Sequence, residues 1–194
     1  MEAFLNACKY EPSRFRRRTT KKPIKVLRQI VELDIHTGLR KTELLTRKWE
    51  DIVTVEGIKC FDVEDTKNGE PRLVPLSDRA IEVLNQIPKT PNNAYIFASP
   101  VKEGEPIKEI KKAFKKALIK AGIEDFTFHG LRHAFASHYQ MTTNDKESLR
   151  ELLGHKSANM TSRYAHLSLK HIKDGIDALN ERLSERLNES IPSK

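Results

Sequence analysis

Three short apolar segments, separated by turn dipeptides, limit what this chain can fold into more than any other feature. Glu56-Gly57 and Asn68-Gly69 lie between the segments. Asn-Gly is a strong hairpin signal, because both central residues of the turn tolerate a positive φ. The pattern therefore predicts a small three-stranded antiparallel sheet, with Lys67 near an exposed hairpin tip. The predicted strands are residues 52–55, 58–63 and 72–76.

Helical periodicity precedes the sheet. Apolar residues between Ile24 and Ile35 recur at helical spacing, and Gly38 fits a C-terminal cap. Arg40 therefore lies just after the end of this helix. Thr42 is predicted to cap the next short helix, which leaves Arg40 at the turn between the two helices.

Helical patterns also follow the sheet. Ser77 is predicted to cap a helix over residues 80–87, and residues 131–139 form another helix. Residues 107–121 are amphipathic, with lysines largely opposite the apolar residues, which is typical of a solvated face. Together these patterns predict a mainly helical α+β fold.

The C-terminal part carries two further helix signals. Asn144 and Glu147 resemble a capping pair for a helix that ends at Gly154, so His155 falls on the following turn. The last helix, over residues 171–187, has an apolar stripe that serves either the core or a surface exchanged with a neighbouring protomer. The stripe consists of Ile172, Ile176, Leu179, Leu183 and Leu187.

Size and charge narrow the function. The 194 residues suffice for one domain, residues 1–194, with a substantial core. Lys and Arg number 35 against 27 Asp and Glu, a net charge of +8, which favours a polyanionic partner such as nucleic acid. No apolar run of 18 residues appears, so a soluble intracellular protein is predicted. Cys8 and Cys60 are too far apart to indicate a zinc knuckle or a disulfide framework.

Several short motifs carry residue types suited to phosphate chemistry. Phosphodiester transfer builds negative charge on the non-bridging oxygens, so a metal-free catalyst needs fixed cations there. Arg40 and Arg132 suit this role, because the planar guanidinium is permanently charged and holds two phosphate oxygens. His129 shares a helical face with Arg132 at i and i+3. Tyr164 needs a base and cations nearby, because a phenol of pKa about 10 is only about one part in a thousand ionised at neutral pH.

Four motifs occur in order along the chain: residues 37–45 with 49–51, residues 66–72, residues 129–133 and residues 153–166. In this order they resemble the catalytic domain of the tyrosine recombinases, the phage-integrase family. The resemblance extends from about residue 26 to residue 167. It implies a mainly helical α+β domain with a small three-stranded sheet, and a site-specific DNA recombinase that uses neither metal nor ATP.

The resemblance also implies a role for each of six residues. Tyr164 attacks the scissile phosphate and forms a 3′-phosphotyrosyl bond. His129 assists proton transfer at Tyr164, and Lys67 protonates the departing 5′-oxygen. Three residues stabilise the transition state: Arg40, Arg132 and His155.

By the same resemblance, the partners are double-stranded DNA and further recombinase protomers on that DNA, with no cofactor, membrane or small-molecule substrate. A prokaryotic or phage origin and a cytoplasmic location are expected. Family members usually carry an N-terminal helical domain as well. Residues 1–10 resemble the middle of the first catalytic-domain helix, so this chain is expected to be a fragment of a longer protein.

Three alternatives remain open. A type IB topoisomerase also forms a 3′-phosphotyrosine and would relax supercoils without strand exchange. A non-catalytic DNA-binding regulator would form no covalent adduct. His129 and His133 have the spacing of a zinc pair, but the arginine between them opposes a cation, and metal content would decide. Glu43 is expected to orient a cation, His133 to lie behind the site or in the core, and His138 to be packed or exposed.

Overall fold

The computed structural model describes residues 1–9, 24–64, 71–154 and 165–189. Helices dominate these ranges, and one small sheet interrupts them. The elements are α1 (Glu2–Ala7), α2 (Leu27–Thr37), α3 (Lys41–Leu45), a 3-10 turn (Trp49–Asp51), β1 (Ile52–Val55), β2 (Ile58–Val63), β3 (Arg72–Pro75), α4 (Asp78–Asn85), α5 (Lys111–Lys120), α6 (Phe128–Thr143), α7 (Lys146–Leu153) and α8 (Ala165–Glu189).

The sheet is antiparallel, with strand order β1-β2-β3, as predicted. Phe61 at its centre pairs with Ile52 on one side and with Val74 on the other. Glu56 and Gly57 have φ values of 50° and 80°, which is the pair of positive angles that a tight hairpin turn requires. Residues 65–70 lie outside the described residues, so the Asn-Gly turn and the position of Lys67 remain predictions.

Helix α2 runs through the core and ends where the sequence predicts. Ile30 and Leu33 are fully buried, and Gly38 closes the helix with φ of 61°. A Cβ atom at Gly38 would lie 2.3 Å from the Phe135 ring on α6. Glycine is therefore required twice, for the left-handed angle and for the close approach of α6.

Two predicted helix caps are wrong. Helix α3 begins after Arg40, not after Thr42, because the Glu43 carboxylate accepts the Arg40 backbone N–H at 2.9 Å. Helix α7 is capped by Asp145, which accepts from the backbone N–H of Ser148. Asn144 instead ends α6 in the left-handed conformation. The predicted Ser77 cap of α4 is confirmed.

Two helices differ in length from the prediction. Helix α5 begins at Lys111 rather than at residue 107, because the Ile107 N–H donates to the Phe97 carbonyl and holds that segment extended. Helix α6 begins three residues early, at Phe128, because the Thr127 side chain caps it. The predicted faces of α5 are confirmed: its lysines are exposed, while Phe114 and Leu118 are buried.

Helix α8 places its apolar stripe in the core of the chain. Ile172, Ile176 and Leu179 are each almost fully buried, and the helix packs on α6 and β3. A Cβ atom at Gly175 would lie 2.9 Å from the Tyr139 hydroxyl, so α8 and α6 also approach closely. Exchange of this helix between protomers remains a prediction. No helix within the described ranges combines the length and apolarity needed to cross a membrane.

His36, near the end of α2, makes stability depend on pH. Burial and, to a smaller extent, the charge of Arg79 lower its pKa to about 4, against an opposing effect of Glu32. The unfolded chain binds a proton near pH 6.5, so the stability present above that pH is lost as pH falls towards 4. We expect His36→Gln to reduce this loss by up to about 3 kcal/mol. Denaturant unfolding at pH 7.5 and 4.5 measures it, and equal losses in both proteins would contradict the assignment.

Candidate active site

Three of the six predicted site residues lie within the described chain, and the fold brings all three together. Arg40 precedes α3, whereas His129 and Arg132 lie on α6. They line one cavity of about 320 Å³. Lys67, His155 and Tyr164 lie outside the described residues. The cavity is completed by His133, Ala136 and Leu153.

Arg132 is held by the ends of two helices. Its Nη1 donates to the Gly38 carbonyl at the end of α2, and its Nη2 donates to the Leu153 carbonyl at the end of α7, both at 2.6 Å. Helix C-termini carry unpaired carbonyls and a partial negative charge, so they suit a buried cation. Burial and the nearby Arg40 lower the Arg132 pKa to about 10, which leaves it charged at neutral pH. Its orientation is therefore fixed before any ligand arrives.

Arg40 is the more accessible arginine. Its side chain is 31% exposed, and Nη1 pairs with Glu43 at 2.8 Å. Its Nη2 lies 3.5 Å from the Gly154 carbonyl. Because one edge of the guanidinium is held and the group borders the cavity, Arg40 can meet a phosphate there without being reoriented.

Glu43 is the counter-ion of this cluster. Its carboxylate is only 5% exposed and accepts from Arg40 and from Arg72. Burial alone would raise the Glu43 pKa, but hydrogen bonds from Arg72 and then from Arg40 outweigh burial and lower the pKa. The carboxylate is therefore ionised at neutral pH. This geometry fits the expectation that Glu43 orients a cation.

His129 and His133 form an edge-to-face pair, with ring centroids 4.5 Å apart. Burial lowers the His129 pKa, and His133, Arg132 and Arg40 lower it further, so His129 is neutral and able to accept a proton at pH 7. His133 is exposed beside the cavity, so of its two predicted places the core is excluded. His138 is half-buried. Across the described ranges, no cluster of three or more His, Cys, Asp or Glu side chains is arranged for a metal ion.

Two buried residues of the cluster were not identified as functional from the sequence. Arg72 appeared only as the end of the lysine motif, yet its side chain is 4% exposed and bonds Glu43. Asp34 on α2 is 1% exposed, and its carboxylate has no hydrogen-bond partner in the described structure. Burial raises the Asp34 pKa well above its usual value, against an opposing effect of Arg132. The sequence does carry one signal of a buried carboxylate here, because Asp34 stands between the core residues Leu33 and Ile35.

Comparison with known proteins identifies the family of this chain. The Phage integrase family matches residues 1–171. The integrase of Salmonella phage P22 is 31% identical over 158 residues, which are 76% of this chain and 41% of that protein. Tyrosine recombinase XerA of Pyrococcus furiosus is 35% identical over 158 residues, 79% of this chain and 54% of that protein. The chain thus spans about half the length of these curated relatives, or less.

A solved structure of an integrase has a similar fold. A lambda integrase dimer bound to a COC′ core site superposes with a TM-score of 0.61 at 26% identity, over 87% of this chain and 45% of that one. The predicted mainly helical α+β fold with one small sheet is therefore confirmed. Because the family match covers most of the residues and spans the segments that hold Arg40, His129 and Arg132, this chain belongs to the phage integrase family of tyrosine recombinases.

Proposed function

We propose that this chain is the catalytic domain of a site-specific DNA recombinase. It breaks and rejoins DNA strands through a covalent 3′-phosphotyrosyl intermediate at Tyr164. The observation that carries this proposal is the convergence of Arg40, Arg132 and His129 on one cavity. Two guanidinium groups held in place before substrate binds provide the charge stabilisation that phosphoryl transfer needs in the absence of a metal.

In the proposed cleavage step, the Tyr164 phenolic oxygen attacks the scissile phosphorus. The bond from phosphorus to the 5′-oxygen breaks, and the DNA 3′ end stays attached to the protein. His129 accepts the phenolic proton, because its lowered pKa leaves the imidazole neutral with a free ring nitrogen. Lys67 donates a proton to the departing 5′-oxygen.

Arg40, Arg132 and His155 would bind the non-bridging oxygens, where negative charge grows in the transition state. The phosphotyrosyl bond keeps the energy of the broken phosphodiester. A second 5′-hydroxyl can therefore attack the phosphorus and release Tyr164, which joins a new strand without ATP.

Double-stranded DNA is the proposed substrate, and several protomers are proposed to act on it together. The net charge of +8 favours a polyanion. The lambda integrase structure contains a dimer bound to a core site, which supports both parts of the proposal by similarity. A cytoplasmic place of action follows from the DNA substrate and is proposed with it.

Covalent trapping tests the proposal. The protein, in excess, is incubated with nicked suicide substrates from its genomic neighbourhood in the presence of EDTA. We expect a DNA adduct that survives denaturation, because side-chain cations replace a metal in the reaction. Strand cleavage that leaves no adduct, stops in EDTA and recovers in Mg²⁺ or Zn²⁺ would indicate a metal-dependent nuclease.

Two other outcomes would redirect the proposal. DNA binding without any adduct would identify a regulator. Adduct formation with relaxation of supercoils but no strand exchange would identify a topoisomerase of type IB.

A further inference from the structure

Three arginines meet at the C-terminal end of α7. Arg72 Nε donates to the Leu152 carbonyl at 2.9 Å, and Arg132 donates to the Leu153 carbonyl at 2.6 Å. Arg40 Nη2 lies 3.5 Å from the next carbonyl, that of Gly154. Consecutive carbonyls at the end of one helix thus face three separate cations.

Arg72 differs from the other two in its surroundings. It does not line the cavity, and its Nη2 and Nη1 bond the two Glu43 oxygens at 2.8 Å and 3.4 Å. Both side chains are at least 95% buried. A buried carboxylate must be compensated by a cation, so Arg72 takes up the charge of Glu43.

This pairing matters for Arg40, which shares Glu43 with Arg72. Glu43 Oε1 accepts from Arg40 Nη1 at 2.8 Å, and Oε2 accepts from the Arg40 backbone at 2.9 Å. Without Arg72, the Glu43 charge would be balanced by Arg40 alone. Arg132 would then be the one arginine of the three left to compensate the charge of a bound phosphate.

A second observation places Arg72 against Gly154. A Cβ atom at Gly154 would lie 2.8 Å from Arg72 Nη1 and 3.0 Å from Cζ, and Gly154 has φ of +61°. In the sequence, Arg72 lies five residues after Lys67, and Gly154 directly precedes His155. The contact between Arg72 and Gly154 is therefore close in sequence to two proposed catalytic residues, Lys67 and His155.

We propose that Arg72 is a positioning residue for strand cleavage. It balances Glu43, so that Arg40 and Arg132 keep their full charge for the scissile phosphate, and it fixes the end of α7 beside them. This inference rests on the proposed recombinase function. In this role Arg72 would act without contacting the phosphate, because it does not line the cavity.

The test compares two substrates that differ in charge. Methylphosphonate at the scissile position replaces one non-bridging oxygen by a methyl group, so the reacting group is neutral and needs less cationic stabilisation. On ordinary DNA we expect Arg72→Met to slow single-turnover cleavage by ~10²-fold, the scale of a small misplacement in an active site. On methylphosphonate DNA the deficit relative to wild type should shrink to below ~10-fold, since the lost charge balance matters less there.

Arg47→Met is the matched control. Arg47 is also buried, at 6% exposed. It bonds the Glu43 and Asp62 backbone carbonyls and pairs with the Asp51 carboxylate at 3.2 Å, but it does not bond the Glu43 carboxylate. Any deficit of this variant should be the same on both substrates. An equal deficit of Arg72→Met on both substrates, or cleavage by it at the wild-type rate, would overturn the inference.

If Arg72→Met does not fold, the double variant Arg72→Met with Glu43→Gln carries the test. Removal of the carboxylate removes the need for its counter-ion, so any deficit of the double variant should come from lost positioning and should be the same on ordinary and on methylphosphonate DNA. A double-variant deficit that shrinks on methylphosphonate DNA as much as that expected for Arg72→Met would overturn the charge-balancing role. A wild-type protein that forms no adduct with either substrate would overturn the proposed function itself, and the inference with it.

Discussion

Tyr164→Phe is expected to abolish the covalent DNA adduct while leaving the fold and the DNA affinity unchanged. The substitution removes the proposed nucleophilic oxygen and keeps the aromatic ring. A second tyrosine offers a matched control. Tyr139 is fully buried on α6, and burial raises its pKa to about 12, so it is a poor nucleophile. Tyr139→Phe should therefore keep the adduct.

Both variants are assayed by denaturing electrophoresis of suicide-substrate reactions, with DNA binding measured in parallel. An adduct formed by the Tyr164→Phe variant would remove Tyr164 as nucleophile. Loss of the adduct in the Tyr139→Phe variant alone would point to a different tyrosine from the one that the motif indicates.

Arg132→Ala is expected to have the largest effect of the described residues. Loss of a preorganised transition-state donor slows a reaction by ~10²-fold or more. The Gly38 and Leu153 carbonyls also lose their cationic partner, which costs about 1–3 kcal/mol of folding free energy for an unsatisfied buried group. Arg132→Lys should not restore the rate, because one ammonium cannot bond both carbonyls and still present a fork to phosphate.

Arg40→Ala separates the loss of cleavage rate from the loss of folding stability. Arg40 is 31% exposed, so its removal should slow cleavage by ~10²-fold or more with a smaller loss of stability than Arg132→Ala. Single-turnover cleavage and thermal unfolding of the two variants measure this difference. Cleavage at the wild-type rate by either variant would show that its arginine has only a structural role.

Local sequence signals predicted most of the fold. The three strands follow from apolar segments between turn residues, and Gly38 follows from the need for a left-handed angle at a helix end. The wrong caps have a local cause as well. Thr42 and Asn144 have side chains suited to capping, but Glu43 already satisfies the Arg40 N–H, and Asp145 lies one residue closer to its helix.

The site was predictable only where its residues belong to short motifs. Arg40, His129 and Arg132 were identified in this way, and the fold brings them to one cavity. Arg72 was not identified, because its partners are far away in sequence: Glu43 is 29 residues distant and Leu152 is 80 residues distant. Such contacts arise from packing between elements, which a local pattern does not encode.

The carbonyls at the end of α7 also restrict how the chain length can change. Each residue advances an α-helix by about 100°, so inserting or deleting one residue within α7 would turn the last carbonyls away from the guanidinium groups of Arg72 and Arg132. Substitutions on the exposed side of α7, such as at Glu147 or Glu151, would leave these bonds intact. The helix should therefore accept changes of residue type over generations while its number of residues stays constant.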